Sequence, residues 1–296
     1  MHMPPPLQSG DAGRVIAPSG VFDRAVFEAG LERVGRAGWE VRVAERIFEA
    51  HRYCAGSEER RLEELNAALR EPDTKAIWVA RGGYGAGPLV PGIEWPGDVG
   101  AKWLVGFSDV TALHLYWQGQ GVASLHGANM TTAGEWADDA VSELCGLLAS
   151  PTGQVFSGTR WGEAGQVRGT ITGGNLTVMT SLAGTGLLPD LRGQIVLLED
   201  IGERPYRLDR SLFQLKAAGT FEGVAGFAIG QLTSCDSGTD EYSALDVVCE
   251  SLAPLGAPIL TGLPVGHEGS SRAMLFGVEA TLDTHDETLS LGDATS

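Results

Sequence analysis

The chain has 296 residues, of which 43% are hydrophobic and 20% are charged, a composition that can bury a core and excludes a disordered chain. Its 21 basic and 38 acidic side chains give a formal net charge of −17, which argues against a general nucleic-acid-binding protein, because phosphate contacts require clustered Lys and Arg. None of the lysines is followed by Ser or Thr, so a Walker P-loop is excluded.

The cysteines and the N-terminus bear on where the protein resides. Its four cysteines are far apart and form no CxxC pair, which disfavours a zinc ribbon and fits reduced thiols in a reducing compartment. The N-terminus has no basic region followed by an apolar run, and no stretch approaches about 18 consecutive apolar residues. These features predict a cytoplasmic protein that binds neither nucleic acid nor membrane, with a disordered, proline-rich leader over 1–12.

The first half of the chain alternates strand patterns with helix patterns. Strands are predicted at 14–17, 41–44, 76–80, 103–107 and 122–125, and helices at 24–37, from Ser57 to the stop at Pro72, at 109–118 and at 138–149. Such alternation indicates βαβ units and a mostly parallel sheet covered by helices. Ligands of these sheets bind at the carboxyl ends of the strands, so we expect a site in the loops after Ala17, Ala80 and Phe107.

Around residues 150–165 the regular pattern gives way to Pro, Thr, Gly and Ser, and we interpret 151–166 as a linker. The second half is richer in β-structure. Strands are predicted at 168–171, 194–198, 224–230 and 258–260 and in a hairpin of 277–283 with 287–291, with helices near 208–218 and 242–253. The predicted fold class is α/β, with an N-terminal parallel α/β sandwich domain over 13–150 and a smaller β-rich, barrel-like domain over 167–296.

The segment around Ser108 is the first candidate for a catalytic site. A predicted strand runs into Gly106, and Ser108 follows at the start of a helix, which resembles a nucleophile elbow. The free N–H groups and the dipole of a helix N-terminus favour developing negative charge, and the amide of Asp109 could donate to an oxyanion. The GxSxG pattern itself is not met, because position 110 is Val, and a plain N-cap serine remains the alternative.

A glycine-rich loop, RGGYGAGP at 81–88, directly follows the third predicted strand. Glycines allow backbone N–H groups to face a ligand without an intervening side chain. A dinucleotide fingerprint that begins at Gly83 and Gly85 requires a third glycine where the chain has Pro88, and proline lacks the N–H that a phosphate needs. The loop therefore favours an oxyanion or substrate contact over a cofactor site, and a structural turn remains the plain alternative.

Glu199 and His267 are the candidate acid and base. Glu199 stands where a buried strand ends, so its carboxylate needs a partner and could orient a catalytic histidine. His267 lies in a glycine-flanked loop, whereas His114 lies in mid-helix and His126 follows a strand as the competing candidate. Each of these residues taken singly is more often structural. No HExxH motif is present, so metal catalysis is weakly supported.

Together, Ser108, Glu199 and His267 indicate catalysis more strongly than any one of them does singly. Their chain order is nucleophile, acid, base, which is a known triad order on open α/β sheets. In such a triad His267 takes the proton from Ser108, and Glu199 holds the imidazole in the required tautomer and stabilises its charged form.

With these residues identified, the chain resembles the serine L,D-carboxypeptidase family, the group of LD-carboxypeptidase A and the microcin-immunity peptidases. The resemblance extends over about 270 residues in ordered blocks at 15–20, 81–85, 106–109, 173–176, 198–210, 266–267 and 277–283. The chain departs from many relatives at Ala128, where they carry Pro, and for that reason we assign no role to His126.

The resemblance implies a catalytic machinery of Ser108 as nucleophile, Glu199 as acid and His267 as base, with no metal and no cofactor. It implies that the backbone amides of Gly83 and Asp109 form the oxyanion hole.

It also implies a substrate-binding loop that contains Arg81, Gly82 and Tyr84, in a site between the two domains of an enzyme that is often a homodimer. The implied substrate is the tetrapeptide stem of cytoplasmic murein fragments. Such an enzyme, a muramoyltetrapeptide carboxypeptidase, removes the terminal D-alanine from the L-centre of the diamino acid during cell-wall recycling.

Two other functions remain as alternatives. An immunity-type serine peptidase that cleaves a peptidyl-nucleotide antibiotic should supply an aromatic platform for a base; Trp161 and Trp117 are candidates, although Trp117 is predicted to lie in a core helix. The compact block at 199–210 favours the muropeptide branch instead. A non-catalytic murein-peptide-binding protein would retain the pocket and lose the triad, whereas this chain has all three triad residue types.

Overall fold

The computed structural model describes residues 1–97, 100–236, 238 and 241–292. The helices are α1 (Arg24–Gly35), α2 (Glu58–Arg70), α3 (Thr111–Gly119), α4 (Met130–Glu135), α5 (Asp138–Ala149), α6 (Leu176–Leu182), α7 (Pro205–Ala217) and α8 (Ala244–Leu252). Within these described ranges no helix combines the length and the apolar character needed to cross a membrane.

The strands form two sheets. In chain order they are β1 (Ala12–Ile16), β2 (Glu40–Arg42), β3 (Thr74–Val79), β4 (Trp103–Gly106), β5 (Ser124–His126), β6 (Gln154–Ser157), β7 (Thr159–Trp161), β8 (Gln166–Asn175), β9 (Ile195–Ile201), β10 (Gly226–Thr233), β11 (Ile259–Thr261), β12 (Met274–Phe276), β13 (Glu279–Asp283) and β14 (Thr288–Leu291).

The first sheet has the order β12-β5-β4-β3-β1-β2. Its strands run parallel except β12, which pairs antiparallel with β5. The helices between these strands begin as their sequences predict: Asp23 accepts a hydrogen bond from the N–H of Val26, and Ser57 accepts one from the N–H of Arg60, which satisfies donors that a helix start leaves free.

The second sheet has the order β6-β14-β13-β8-β9-β10-β11-β7 and is nearly closed, like a barrel. The strand β8 belongs to two environments: its first half pairs antiparallel with β13, and its second half pairs parallel with β9. The predicted fold class, a parallel α/β sheet followed by a β-rich, barrel-like unit, is confirmed.

The boundary between the two halves differs from the expected linker at 151–166. Two strands of the second sheet, β6 and β7, lie inside that segment, and β12 crosses from the second half to complete the first sheet. The hydrophobic core is also shared, because Phe107 packs in one cluster with Val265, and Val110 packs in another with Leu198. The two halves therefore meet through a continuous apolar interior.

The N-terminal leader, expected to be disordered, is packed on the first half of the chain. Leu7 is buried, and its N–H donates to the carbonyl of Leu148 at 2.8 Å. The indole N–H of the buried Trp103 donates to the carbonyl of Pro5 at 2.9 Å. Proline has no N–H but keeps its carbonyl, so a proline-rich segment supplies acceptors for donors that the core leaves unpaired.

Candidate active site

The carboxyl ends of β1, β3 and β4, which are neighbours in the first sheet, bring three loops together. Ser19 follows β1, Gly82 follows β3, and Ser108 follows β4. The loops that the sequence indicated therefore meet at one edge of the sheet.

Ser108 occupies a strained turn. Its φ angle is +67°, a left-handed conformation that costs a residue with a Cβ atom about 1–2 kcal/mol. The turn is held by the buried amide of Asn129, whose Oδ1 accepts from the N–H of Phe107 at 3.3 Å and whose Nδ2 donates to the carbonyl of Phe107 at 3.4 Å. The geometry presents the Ser108 side chain above the sheet, as at a nucleophile elbow.

The glycine-rich loop after β3 lies directly against Ser108. A Cβ atom at Gly82 would lie 2.9 Å from Cβ and 3.0 Å from Oγ of Ser108, so only glycine fits this close approach. Arg81 donates to the carbonyl of Val21 at 2.7 Å. Tyr84 is 55% exposed, and its ring centroid lies 5.9 Å from that of Tyr53.

Residues of this loop line two cavities. One, of about 350 Å³, is lined by Gly83, Tyr84 and Asp109 of the first half and by Thr177 and Leu182 of the second half, among others. The other cavity, of about 580 Å³, carries charged side chains on its wall, namely Asp23, Arg81 and Glu135. The loop thus contributes to the walls of both a mainly apolar cavity and a cavity with charged side chains.

Glu199 and His267 form a hydrogen-bonded pair. His267 Nδ1 lies 2.7 Å from Oε2 of Glu199, whose side chain is completely buried in β9. A carboxylate that accepts this hydrogen bond requires the proton on Nδ1, and in a neutral imidazole this arrangement leaves Nε2 as the acceptor. That tautomer is the one that a general base requires.

Phe107 connects this pair to the turn of Ser108. Its ring centroid lies 4.6 Å from that of His267, and Phe107 immediately precedes Ser108. Among the described residues, Ser108 Oγ and His267 form no hydrogen bond, and catalytic hydrogen bonds are often long before substrate binds. The structure thus brings Glu199 and His267 into contact and connects them through Phe107 to the turn of Ser108.

His114 and His126 lie behind the site as neutral core residues. The Nε2 atom of His114 donates to the carbonyl of Gly106 at 2.8 Å, and Nδ1 lies 2.8 Å from Oγ of Ser124. Burial lowers the pKa of His114 to about 4 and holds the pKa of His126 well below its usual range. The His126 ring nitrogens have no hydrogen-bond partner in the described parts of the chain.

Sequence reasoning missed two side chains at the site. Asn129 is not among the residues singled out from the sequence, and Asp109 is among them only for its backbone amide, whereas its buried carboxylate accepts from the N–H of Ala86. Their signal was present, since both follow parallel strands of the sheet, but the contacts that they make come from other loops. No group of three His, Cys, Asp or Glu residues able to hold a metal ion occurs in 1–97, 100–236 or 241–292.

Comparison with protein families and known proteins gives consistent matches. Residues 14–127 match the LD-carboxypeptidase N-terminal domain, and residues 168–282 match the LD-carboxypeptidase C-terminal domain. The murein tetrapeptide carboxypeptidase of Pseudomonas aeruginosa is 34% identical over 92% of this chain and 93% of its own length.

Solved structures share the whole fold. The muramoyltetrapeptide carboxypeptidase of Oxalobacter formigenes superimposes with a TM-score of 0.85 at 27% identity, covering 96% of this chain and 100% of that chain. The microcin C7 self-immunity protein MccF superimposes with a TM-score of 0.87 at 22% identity, covering 98% of each chain; at that identity the likeness concerns the fold alone.

Proposed function

The chain belongs to the LD-carboxypeptidase family and is a serine-type carboxypeptidase that acts on peptides, and from this premise we propose that it is a muramoyltetrapeptide L,D-carboxypeptidase. It releases the terminal D-alanine from murein tetrapeptides in the cytoplasm, during cell-wall recycling. The names of the P. aeruginosa and O. formigenes relatives support this substrate class.

The proposed mechanism is acyl transfer through Ser108. Ser108 Oγ attacks the carbonyl carbon of the diamino acid, and Nε2 of His267 takes the hydroxyl proton. The amides of Gly83 and Asp109 donate to the oxyanion that forms. When the C–N bond breaks, His267 gives the proton to the nitrogen of the leaving D-alanine. A water molecule deprotonated by His267 then hydrolyses the acyl-enzyme, which restores Ser108 and releases the tripeptide.

The buried Glu199–His267 hydrogen bond carries this proposal. A carboxylate withdrawn completely from water costs several kcal/mol unless it is paired, and its partner here is a histidine beside a strained serine. A protein that merely bound murein peptides would gain nothing from this arrangement. The pair therefore supports catalysis over the binding-protein alternative.

The immunity-type alternative receives less support from the aromatic residues. Trp117 is completely buried, and its indole N–H donates to the carbonyl of Lys102 at 3.2 Å, so it offers no platform for a base. Trp161 is partly exposed but lies in β7 at the edge of the second sheet, paired with Ile259. These positions favour the muropeptide substrate.

The compartment and the assembly are part of the proposal. Cys54, Cys145, Cys235 and Cys249 are all unpaired, which fits a reducing cytoplasm. Tyr206 and Phe213 expose 61% and 67% of their surface on α7, and exposed aromatic side chains are enriched at protein interfaces, which supports a homodimer. Light scattering across a concentration series, with Phe213→Asp beside the wild type, tests the assembly.

The decisive experiment supplies a disaccharide tetrapeptide that ends in D-alanine and follows products by mass spectrometry. We expect the loss of one alanine, unaffected by EDTA and absent with Ser108→Ala. A parallel incubation with an aminoacyl sulfamoyl nucleotide tests the alternative. Cleavage of the nucleotide conjugate without release of alanine from the tetrapeptide contradicts the proposed substrate.

A further inference from the structure

Asp109 carries a carboxylate that the mechanism above does not use. Its side chain is 3% exposed, and burial raises the pKa of this carboxyl. It accepts a hydrogen bond from Oγ of Ser19 at 2.6 Å and another from the N–H of Ala86 at 2.8 Å. Burial of a carboxylate is costly unless it has such hydrogen-bond partners, so these two hydrogen bonds hold the Asp109 carboxylate in this position.

The two partners belong to different loops. Ser19 follows β1, Ala86 ends the glycine-rich loop after β3, and Asp109 itself follows β4, so one carboxylate joins the loops of three neighbouring strands. The buried side chain of Arg61 also joins the same two loops, because its guanidinium donates to the carbonyls of Pro18 and Gly85.

The loop that Asp109 holds needs external anchors. Gly83 and Gly85 have φ angles of +103° and +138°, and a glycine backbone sets no strong preference of its own. The N–H of Gly20 donates to the carbonyl of Gly82 at 3.0 Å at one end of the loop, and Asp109 binds the N–H of Ala86 at the other end. The Gly83 amide lies between these two anchors.

We propose that Asp109 is the positioning residue of the oxyanion hole, because its carboxylate fixes the loop that carries the Gly83 amide while its own backbone supplies the second amide. The inference rests on the proposed function. Asp109 therefore supplies one of the two amides itself and holds the loop that carries the other. Its side-chain hydrogen bonds thus set the distance between the two amides. An oxyanion gains from donors only when they are held at the position where charge develops.

A matched control separates positioning from stability. Glu64 is another buried carboxylate of the first half: its side chain is 8% exposed, it accepts from the N–H of Ala17 at 2.8 Å, and it pairs with Arg60 at 3.1 Å. Burial raises the pKa of Glu64 as well. Within the described residues the hydrogen bonds of Glu64 go to Ala17 and Arg60 and none goes to the Gly83 loop, so Glu64→Gln changes a comparable buried carboxylate without removing an anchor of that loop.

The experiment measures kcat and KM for the tetrapeptide, the melting temperature, and the rate at which a fluorophosphonate probe labels Ser108. In the labelling, Ser108 Oγ bonds to phosphorus, fluoride leaves, and His267 takes the proton, so the rate reports on the oxyanion hole without any peptide. For Asp109→Asn we expect kcat and the labelling rate to fall about 10- to 100-fold with KM nearly unchanged, since a donor displaced by about 1 Å loses on this scale.

Companion variants define the outcome. Asp109→Ala, which retains no acceptor, is expected to have a lower kcat than Asp109→Asn. Ser19→Ala, which removes one of the two donors to Asp109, is expected to lose less kcat than Asp109→Asn. Glu64→Gln is expected to keep the wild-type kcat. Ser19→Ala provides the test if Asp109→Asn does not fold. Folded Asp109→Asn or Ser19→Ala with wild-type kcat and labelling overturns the inference, as does an equal loss in Glu64→Gln. Wild-type labelling without release of alanine contradicts the proposed substrate instead, and the labelling rates still decide the role of Asp109.

Discussion

His267 Nδ1 lies 2.7 Å from Oε2 of Glu199, although the two residues are 68 positions apart in the chain. Glu199 is in β9, and His267 follows β11, so two parallel strands of the second sheet deliver the pair. The contact between the rings of Phe107 and His267 then connects it to the first sheet. Glu199 and His267, the proposed acid and base, come from one half of the chain, and Ser108, the proposed nucleophile, comes from the other.

Two substitutions of Ser108 separate chemistry from backbone strain. Ser108→Ala is expected to lower kcat on the order of 10⁴- to 10⁶-fold without unfolding the protein. Ser108→Gly is expected to be equally inactive but more stable than Ser108→Ala by up to about 1 kcal/mol, because relief of left-handed strain outweighs the greater flexibility of unfolded glycine. Alanine release and urea unfolding measure the two effects. More than a tenth of the wild-type kcat in either variant contradicts Ser108 as the nucleophile.

The second prediction concerns the orientation of the base. Glu199→Gln is expected to lower kcat on the order of 10³- to 10⁴-fold, because an amide no longer enforces the tautomer of His267 or stabilises its charged form. Steady-state kinetics with the tetrapeptide give the measurement. The control is Glu279→Gln, which changes an exposed carboxylate of β13 that accepts from Oγ1 of Thr170 at 3.3 Å and is expected to leave kcat unchanged. Similar rates for the two variants count against the triad.

The third prediction concerns stereochemistry. The enzyme is expected to trim tetrapeptides that end in D-alanine and to spare the epimer that ends in L-alanine. The wrong configuration must bury its methyl group against a wall or leave polar groups unpaired, which costs several kcal/mol, so the rates are expected to differ by about 100-fold or more. Competition between the epimers, followed by released alanine, provides the test, and equal rates refute an L,D-specific site.

The fourth prediction concerns stability in acid. Burial lowers the pKa of His114 to about 4, below the unfolded value of about 6.5, so the unfolded chain binds a proton between these values that the folded protein does not. The free energy of unfolding therefore falls as pH is lowered from about 6.5 to 4. The buried His126, whose ring lies 5.9 Å from that of His114, also lowers the free energy of unfolding as pH is lowered. The raised pKa values of Asp109 and Asp200 have the opposite effect on the free energy of unfolding.

Comparison of the wild type with His114→Gln isolates the contribution of His114. Urea unfolding at pH 7 and pH 5 is expected to show a smaller loss of stability in the variant, because its side chain does not titrate. The variant loses hydrogen bonds at both pH values, so only the difference between the two losses is informative. A loss in His114→Gln as large as that in the wild type contradicts the assignment of a neutral, buried His114.

The local elements of this protein were predictable from the amino-acid order. The strand–turn–helix around Ser108, the acidic end of β9 and the glycine-flanked loop of His267 all follow from hydrophobic period and turn residues, which act over a few neighbours. The short helices α4 and α6 escaped prediction because six or seven residues carry too few turns for a period to show. The strands β6 and β7 escaped because their turn-rich composition looked like a linker.

Other features were decided only by the tertiary structure. The amino-acid sequence by itself determined the fold class, the chain order of the proposed triad residues Ser108, Glu199 and His267, and the segments in which they lie. The pairing of β12 with β5, the burial of the Glu199–His267 hydrogen bond and the anchoring of Ser19 and Ala86 on Asp109 join residues that are far apart in the chain. Hydrophobic burial and sheet closure bring such residues together, and no local pattern records which distant loop a buried carboxylate will meet.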